Sequence, residues 1–130
     1  MPDLPSTPGK GRILVVDDEP HIRRLLGAIL ESRGYDVTMT TDGLEGLVDF
    51  GRTAFDLVIL DFMMPGANGL EILAKIRSDP VRSETPVIIL TAKGQDTDRD
   101  AALAGGANAF LTKPFSPKKL LLHIEEILGG

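Results

Sequence analysis

The sequence contains no cysteine in 130 residues. Disulfides, thiolate zinc sites, iron–sulfur clusters and cysteine nucleophiles are therefore all excluded. Histidine is scarce as well: His21 and His123 stand far apart in the chain, and nothing suggests a histidine-rich metal site. Basic charge is in deficit, with 14 Lys and Arg against 19 Asp and Glu and a net charge of −5. A partner such as nucleic acid or an anionic membrane would call for a basic patch. Long apolar runs are missing too: the longest is about four residues, too short for a membrane span or a signal-peptide core. These absences predict a soluble, reduced, cytoplasmic protein. Its length fits one domain that buries about 68–70% of its unfolded surface without a covalent staple.

Residues 1–11 hold Pro2, Pro5, Pro8, Gly9 and Gly11 with almost no apolar side chains. That composition predicts a flexible leader, followed by one domain over 12–130. A rhythm then begins. Ile13-Leu14-Val15-Val16, Leu57-Val58-Ile59-Leu60 and Val87-Ile88-Ile89-Leu90 are continuous β-branched-rich runs, as in parallel strands covered on both faces. Val37-Thr38-Met39-Thr40 alternates and Ala109-Phe110-Leu111 is short, so both suit sheet edges. Between them lie helical stripes: Ile22, Leu25, Leu26, Ile29 and Leu30, stopped at Gly34; Leu44, Leu47 and Val48; Leu70, Leu73 and Ile76; and Leu120, Leu121, Ile124, Ile127 and Leu128, entered through Ser116-Pro117. Residues 96–104, acidic and alanine-rich, predict a helix with little apolar face. Met39 and Met64 read as core filling, and His123, off its helix's stripe, as exposed. Strand and helix alternate five times. The expectation is a flavodoxin-like (βα)5 doubly wound parallel sheet with strand order 2-1-3-4-5.

In such a sheet, functional groups gather beyond the carboxyl ends of the strands. After the first strand come Asp17 and Asp18, then Glu19; after the third Asp61, after the fourth Thr91, and after the fifth Lys113. Close carboxylates repel one another unless a cation is present. A hard divalent ion, Mg²⁺ or Mn²⁺ in its place, resolves the conflict and leaves coordination sites for phosphate oxygens. The same arrangement suits phosphoryl transfer, with a carboxylate as nucleophile. Asp18, two residues before Pro20, can equally serve as a helix cap. A lone Thr or Lys at a strand end is ordinarily solvated; the convergence of all five on one rim carries the functional reading.

The segments ILVVDDEP, DLVILDFMMPGANGLE, PVIILTAKG and GANAFLTKPF resemble, in order and spacing, the receiver domain of two-component response regulators, the CheY-like superfamily. The resemblance runs from about Arg12 to Leu128. It implies that Asp61 accepts a phosphoryl group from a sensor histidine kinase or a histidine phosphotransfer protein. It further implies Mg²⁺ held by Asp17, Asp18, Asp61 and the backbone carbonyl of Met63. Lys113, with a cis peptide to Pro114, and Thr91 would bind the phosphoryl group, and Phe110 would be an aromatic switch coupled to Thr91. The surface of the fourth helix, fifth strand and fifth helix would then engage a downstream protein or output domain. The protein would be a monomer or a phosphorylation-dependent dimer, with no direct contact to nucleic acid or membrane. On this reading it is a self-phosphorylating and self-dephosphorylating switch, not an enzyme with an external substrate.

Some positions depart from the family's pattern. Phe110 brings no phenolic hydroxyl to the switch, Asn108-Ala109 stands where many relatives carry acids, and Ala67-Asn68 where Met-Asp is common. Met63 and Lys93 flank the water path, and neither is a carboxamide that could orient water, so slow hydrolysis of the phosphoryl group is expected. Other classes compete. A haloacid-dehalogenase-type phosphatase needs a second Asp where Met63 stands, and a flavin protein would not set Asp17-Asp18-Glu19 against a phosphate. A phosphorylation-independent interaction module would use the same fold. Ending at Gly129-Gly130, the sequence reads as a stand-alone regulator or a receiver excised from a longer one.

Overall fold

A computed structural model describes residues 11–64, 68–92 and 96–129. Along the chain run β1 (Gly11–Val16), α1 (Pro20–Glu31), β2 (Tyr35–Thr40), α2 (Gly43–Arg52) and β3 (Leu57–Asp61). They are followed by α3 (Gly69–Arg77), β4 (Val87–Thr91), α4 (Asp96–Ala104), β5 (Ala109–Thr112) and α5 (Pro117–Leu128). The strands form one parallel sheet in the order β2-β1-β3-β4-β5, the doubly wound arrangement the sequence predicts. Of the expected leader, residues 1–10 lie outside the described residues, while Gly11 already begins β1.

Successive side chains of a strand point to opposite faces, and the three central strands are sorted accordingly. Leu14, Val16, Val58, Leu60, Val87 and Ile89 pack with Phe50 of α2, Ile72, Leu73 and Ile76 of α3, and Ala102 of α4. Ile13, Val15, Leu57, Ile59, Ile88 and Leu90 pack with Ile22, Leu26 and Leu30 of α1 and with Leu120 and Ile124 of α5. A run apolar at every position is what two covered faces require. Helix starts follow local chemistry. Asn68 and Glu71 close a reciprocal capping box on α3, Ser116 accepts from the Lys119 N–H ahead of Pro117 on α5, and Asp42 caps α2.

Four expectations about side chains need correction. On α2 only Leu47 of the stripe Leu44, Leu47, Val48 packs against the core: Leu44 is 63% and Val48 51% exposed, while Gly43, Gly46 and Phe50 are buried. A Cβ on Gly46 would come within 2.8 Å of Val16 Cγ2, so glycine lets α2 press onto β1 and decides which face turns inward. Leu25 of α1 is exposed, unlike the rest of its stripe. Met39 is exposed on the edge strand β2, its methyl resting over Gly27, whereas Met64 is buried as expected. His123 is half-buried, not exposed.

One long-range contact holds two loops to the sheet. The Arg77 guanidinium at the end of α3 donates to the Gly106 carbonyl, from Nε at 3.2 Å and Nη2 at 2.7 Å, and to the carbonyls of Ser83 at 2.9 Å and Thr85 at 2.6 Å. Its Nη2 also donates to Asn108 Oδ1 at 3.1 Å, and that same oxygen accepts from the Val87 N–H. The closeness requires glycine, since a Cβ on Gly106 would lie 2.8 Å from Arg77 Nε, and its φ is +103°. Arg77→Ala strands several carbonyls at once and should lower stability by about 2–4 kcal/mol in urea melts. Arg77→Lys should recover little of that, because one ammonium cannot reproduce the planar fork.

Candidate functional site

Each site residue is carried to the rim by a strand end. Asp17 follows β1 directly; its N–H donates to the Thr40 carbonyl, its Oδ1 accepts from the Glu19 N–H at 2.8 Å, and it is 1% exposed. Arg23 Nη1 donates to the Asp17 carbonyl at 2.7 Å, pinning this turn to α1. Asp61 is the last residue of β3 and Thr91 of β4, and both are buried. Lys113 follows β5; its N–H donates to the Thr91 carbonyl at 2.6 Å, and its peptide bond to Pro114 is cis. After Asp61 the chain returns close to the end of β3: Gly69 N–H donates to the Phe62 carbonyl, and a Cβ on Gly69 would lie 2.8 Å from the Asp61 carbonyl oxygen.

The Lys113 ammonium sits among three carboxylates. Its Nζ lies 2.6 Å from Glu19 Oε1, 3.0 Å from Asp17 Oδ2 and 3.5 Å from Asp61 Oδ1, and its side chain is 8% exposed. One oxygen from each of Asp17, Glu19 and Asp61 falls within 4.8 Å of the others. Burial drives the Asp61 carboxyl up to about 6 and the Asp17 charge adds to this, against the pull of Lys113 and of the Met63 N–H. For Lys113, burial disfavours the charge, but contacts with Glu19 and Asp17 outweigh it and raise the pKa. The hydrogen bond from Lys113 holds Glu19 below the usual carboxylate range.

A divalent cation is the natural complement of this set. With the three carboxylates ionised and Lys113 protonated, the cluster carries two surplus negative charges. Asp17 Oδ2 is buried and, although ion-paired to Lys113, accepts no hydrogen bond. An oxygen-only donor set with a buried, unsatisfied lone pair fits a hard ion such as Mg²⁺.

The sequence-derived site is thus only partly the one that forms. Asp17, Asp61 and Lys113 meet, and Thr91 stands on the adjoining strand end bonded to Lys113 through the backbone. The clustered carboxylates do not include Asp18, which is half-buried. Nor does Asp18 cap α1: the cap position is Glu19, with no side-chain cap bond. Glu19, noted in the sequence only as the acid after the Asp pair, is the residue that reading missed. Its place just before Pro20 turns its side chain back over the end of β1. Phe110 is half-buried away from the cluster, its ring edge-on to Phe62 with centroids 6.5 Å apart. The Met63 side chain is exposed, and Lys93 lies outside the described residues.

The response regulator receiver domain model matches residues 13–125 of the chain. Among curated proteins, the uncharacterized transcriptional regulatory protein YkoG of Bacillus subtilis is 44% identical over 119 residues, covering 92% of this chain and 51% of that one. The transcriptional regulatory protein ResD of the same organism is 39% identical over 117 residues, covering 90% and 48%. The chain spans about half the length of these curated relatives. Among solved structures, the receiver domain of the Francisella response regulator 1452 superposes with a TM-score of 0.85 at 31% identity, covering 92% of this chain and 97% of that one. The chemotaxis response regulator CheY4 of Vibrio cholerae superposes with a TM-score of 0.84 at 32% identity, covering 89% and 97%.

Proposed function

Since this chain belongs to the response regulator receiver domain family, we propose that Asp61 is its phosphoacceptor. The observation that carries this is a buried carboxylate at the end of β3, facing Lys113 Nζ at 3.5 Å across a cluster with surplus negative charge. An Asp61 oxygen attacks the phosphorus of a phosphohistidine on a sensor kinase or phosphotransfer protein. The O–P bond forms as the N–P bond breaks, and the imidazole departs with the electron pair. Asp61 must be ionised to attack, which the Lys113 charge favours and burial opposes. Asp17, Glu19 and Asp61 would hold Mg²⁺, with Asp18 and the Met63 carbonyl as the further ligands that the family resemblance suggests. The ion would supply charge neutralisation for the phosphoryl oxygens.

Lys113 then exchanges a carboxylate partner for a phosphoryl oxygen, and the Thr91 hydroxyl donates to another. Phe110, in contact with the ring that follows Asp61, carries the change to the surface of α4, β5 and α5. The phosphoryl group thereby favours a conformer through contacts made only there. The protein works as a cytoplasmic switch with no external substrate and delivers its signal through a partner protein or an output domain. Among the described residues no helix is long and apolar enough to cross a membrane.

Incubation with a small acyl phosphate and Mg²⁺ should add the mass of one phosphoryl group to the intact protein, and none to Asp61→Asn. No gain in the wild type favours the phosphorylation-independent module instead. Met63→Asn, which sets a carboxamide beside the water path, should shorten the lifetime of the label severalfold. An unchanged lifetime removes Met63 from any part in hydrolysis.

A further inference from the structure

Two adjacent basic residues near the start of α1 are alike in sequence and unlike in structure. Arg24 is exposed, and among the described residues it makes no side-chain hydrogen bond or ion pair. Arg23 is half-buried and tied twice to the turn that leaves β1. Its N–H donates to the Glu19 carbonyl at 3.1 Å, and its Nη1 to the Asp17 carbonyl at 2.7 Å. That second carbonyl belongs to the peptide joining Asp17 to Asp18. On the other side of the same residue, the Asp17 N–H donates to the Thr40 carbonyl of β2 at 3.1 Å. Both peptides of Asp17 are therefore pinned by neighbouring elements. Its side chain is held from within the turn, where Oδ1 accepts from the Glu19 N–H at 2.8 Å. Only Oδ2 is left without a hydrogen bond, buried and 3.0 Å from Lys113 Nζ.

We propose that Arg23 is a positioning residue for the divalent cation: by fixing the peptide after Asp17, it keeps Asp17 Oδ2 aimed into the cluster as a ready ligand. This rests on the receiver reading and deepens it, since it names a residue outside the cluster that sets the cluster's affinity. Carboxylates that bind a metal are oriented by their own hydrogen bonds, and loss of such an outer partner typically weakens metal binding by about 10–100-fold. The sign of the effect separates this role from one of charge. A guanidinium repels a cation, so removing an Arg23 that acted through charge alone would tighten Mg²⁺ binding. Removing an Arg23 that holds the peptide loosens it, because the Asp17 carbonyl is then free to turn and the Asp18-Glu19 peptide that orients Oδ1 turns with it. The fold itself loses less. Arg23 lines the shallow groove between α1 and β2, from which water reaches the vacated carbonyl once the guanidinium is gone.

The test is calorimetric titration of Mg²⁺ into the full chain and its variants, with urea melts alongside. Arg23→Met keeps the aliphatic stem and removes the donor, and its Mg²⁺ dissociation constant should rise about tenfold or more. Arg23→Lys keeps a charged donor for the carbonyl and should stay within about threefold of the wild type. Arg24→Ala removes the same unit charge from an exposed site and should change the constant by less than about twofold. Phosphorylation by a small acyl phosphate should follow the binding. Arg23→Met should be slow at low Mg²⁺ and close to wild type once the ion saturates, since the bound ion then holds Asp17 in place. Tighter binding in Arg23→Met overturns the proposal, because it makes Arg23 a charge that opposes the ion. An unchanged constant beside a lowered melting midpoint also overturns it, because Arg23 is then a tie of the fold alone. So does equal weakening in Arg24→Ala. Should Arg23→Met fail to fold, Arg23→Ala makes the same comparison with the same expected rise. If the wild type binds Mg²⁺ and gains one phosphoryl mass while the Arg23 variants match it, the positioning role is wrong and the receiver reading stands. If the wild type itself binds no Mg²⁺ and gains no mass, the receiver reading fails and the proposal with it.

Discussion

Lys113→Ala should destabilise the metal-free protein at pH 8 by about 3 kcal/mol, the lower end for a buried ionic cluster that loses one member. The lower end applies because Glu19, with a side chain 43% exposed, can swing into water. Asp17 and Asp61 cannot, and each would face the other's charge unscreened. Asp61, already raised to about 6, loses in Lys113 a group that lowers its pKa, so the deficit is largest where Asp61 is ionised and shrinks as the pH falls and it takes up its proton. Mg²⁺ should also restore stability by taking the place of the lost ammonium. In the wild type the sign is the reverse: Lys113 is raised above its ordinary value of 10.5. Its stabilising effect is therefore whole below that value and fades only as the pH climbs through the higher folded value. Phosphorylation by a small donor should slow by about 10²–10³-fold, as for loss of one preorganised group aimed at developing charge. Urea melts at several pH values, with and without Mg²⁺, read the first effect, and rates of mass gain the second. Equal stability at pH 8 would mean that the ammonium is dispensable to the cluster.

Asp61→Asn should do the opposite and stabilise the metal-free protein at pH 8 by about 1–3 kcal/mol. The upper figure is the full free energy of moving a carboxyl from 3.8 to about 6 at roughly 1.4 kcal/mol per unit. The lower figure allows for the Lys113 attraction that the amide forfeits. The folded state holds the proton that the unfolded chain has released between about pH 4 and pH 6. Through this residue, wild-type stability therefore falls as the pH rises across that window. The Asn variant should lack that part of the slope, its amide oxygen still able to accept from the Met63 N–H. Saturating Mg²⁺ should close the gap, because a ligand at a hundred times its dissociation constant adds about 2.7 kcal/mol to the protein that binds it. Wild type and variant with the same slope between pH 4 and 6 would show that Asp61 is ionised throughout.

Both effects come from groups that the sequence marks by position alone. The three central strands announce themselves because a run such as Leu57-Val58-Ile59-Leu60 has no polar side to spare, and the acids and the lysine just past such runs must arrive at one rim. What was not legible depends on distances between segments remote in sequence. Glu19 joins the cluster because the chain turns at Pro20 and Lys113 reaches across from the end of β5. The face of α2 is set by Gly46 approaching Val16 of β1, which a count of leucines misses. Met39 lies exposed because β2 is an edge strand, its methyl resting over Gly27. The Arg77 fork depends on Gly106 and Asn108 meeting the end of α3, and nothing local to Arg77 foretells it.

Locating the phosphoryl group by chemistry tests the account at its centre. Protein labelled with a small acyl phosphate and Mg²⁺ is treated with borohydride, which reduces an aspartyl phosphate to homoserine, then digested and sequenced by mass spectrometry. Homoserine at position 61, absent from Asp61→Asn and from unlabelled protein, is the expected result. Homoserine at Asp17 or Asp18, 2-amino-5-hydroxypentanoic acid at Glu19, or a phosphoryl group that resists borohydride because it sits on another residue type, would contradict it.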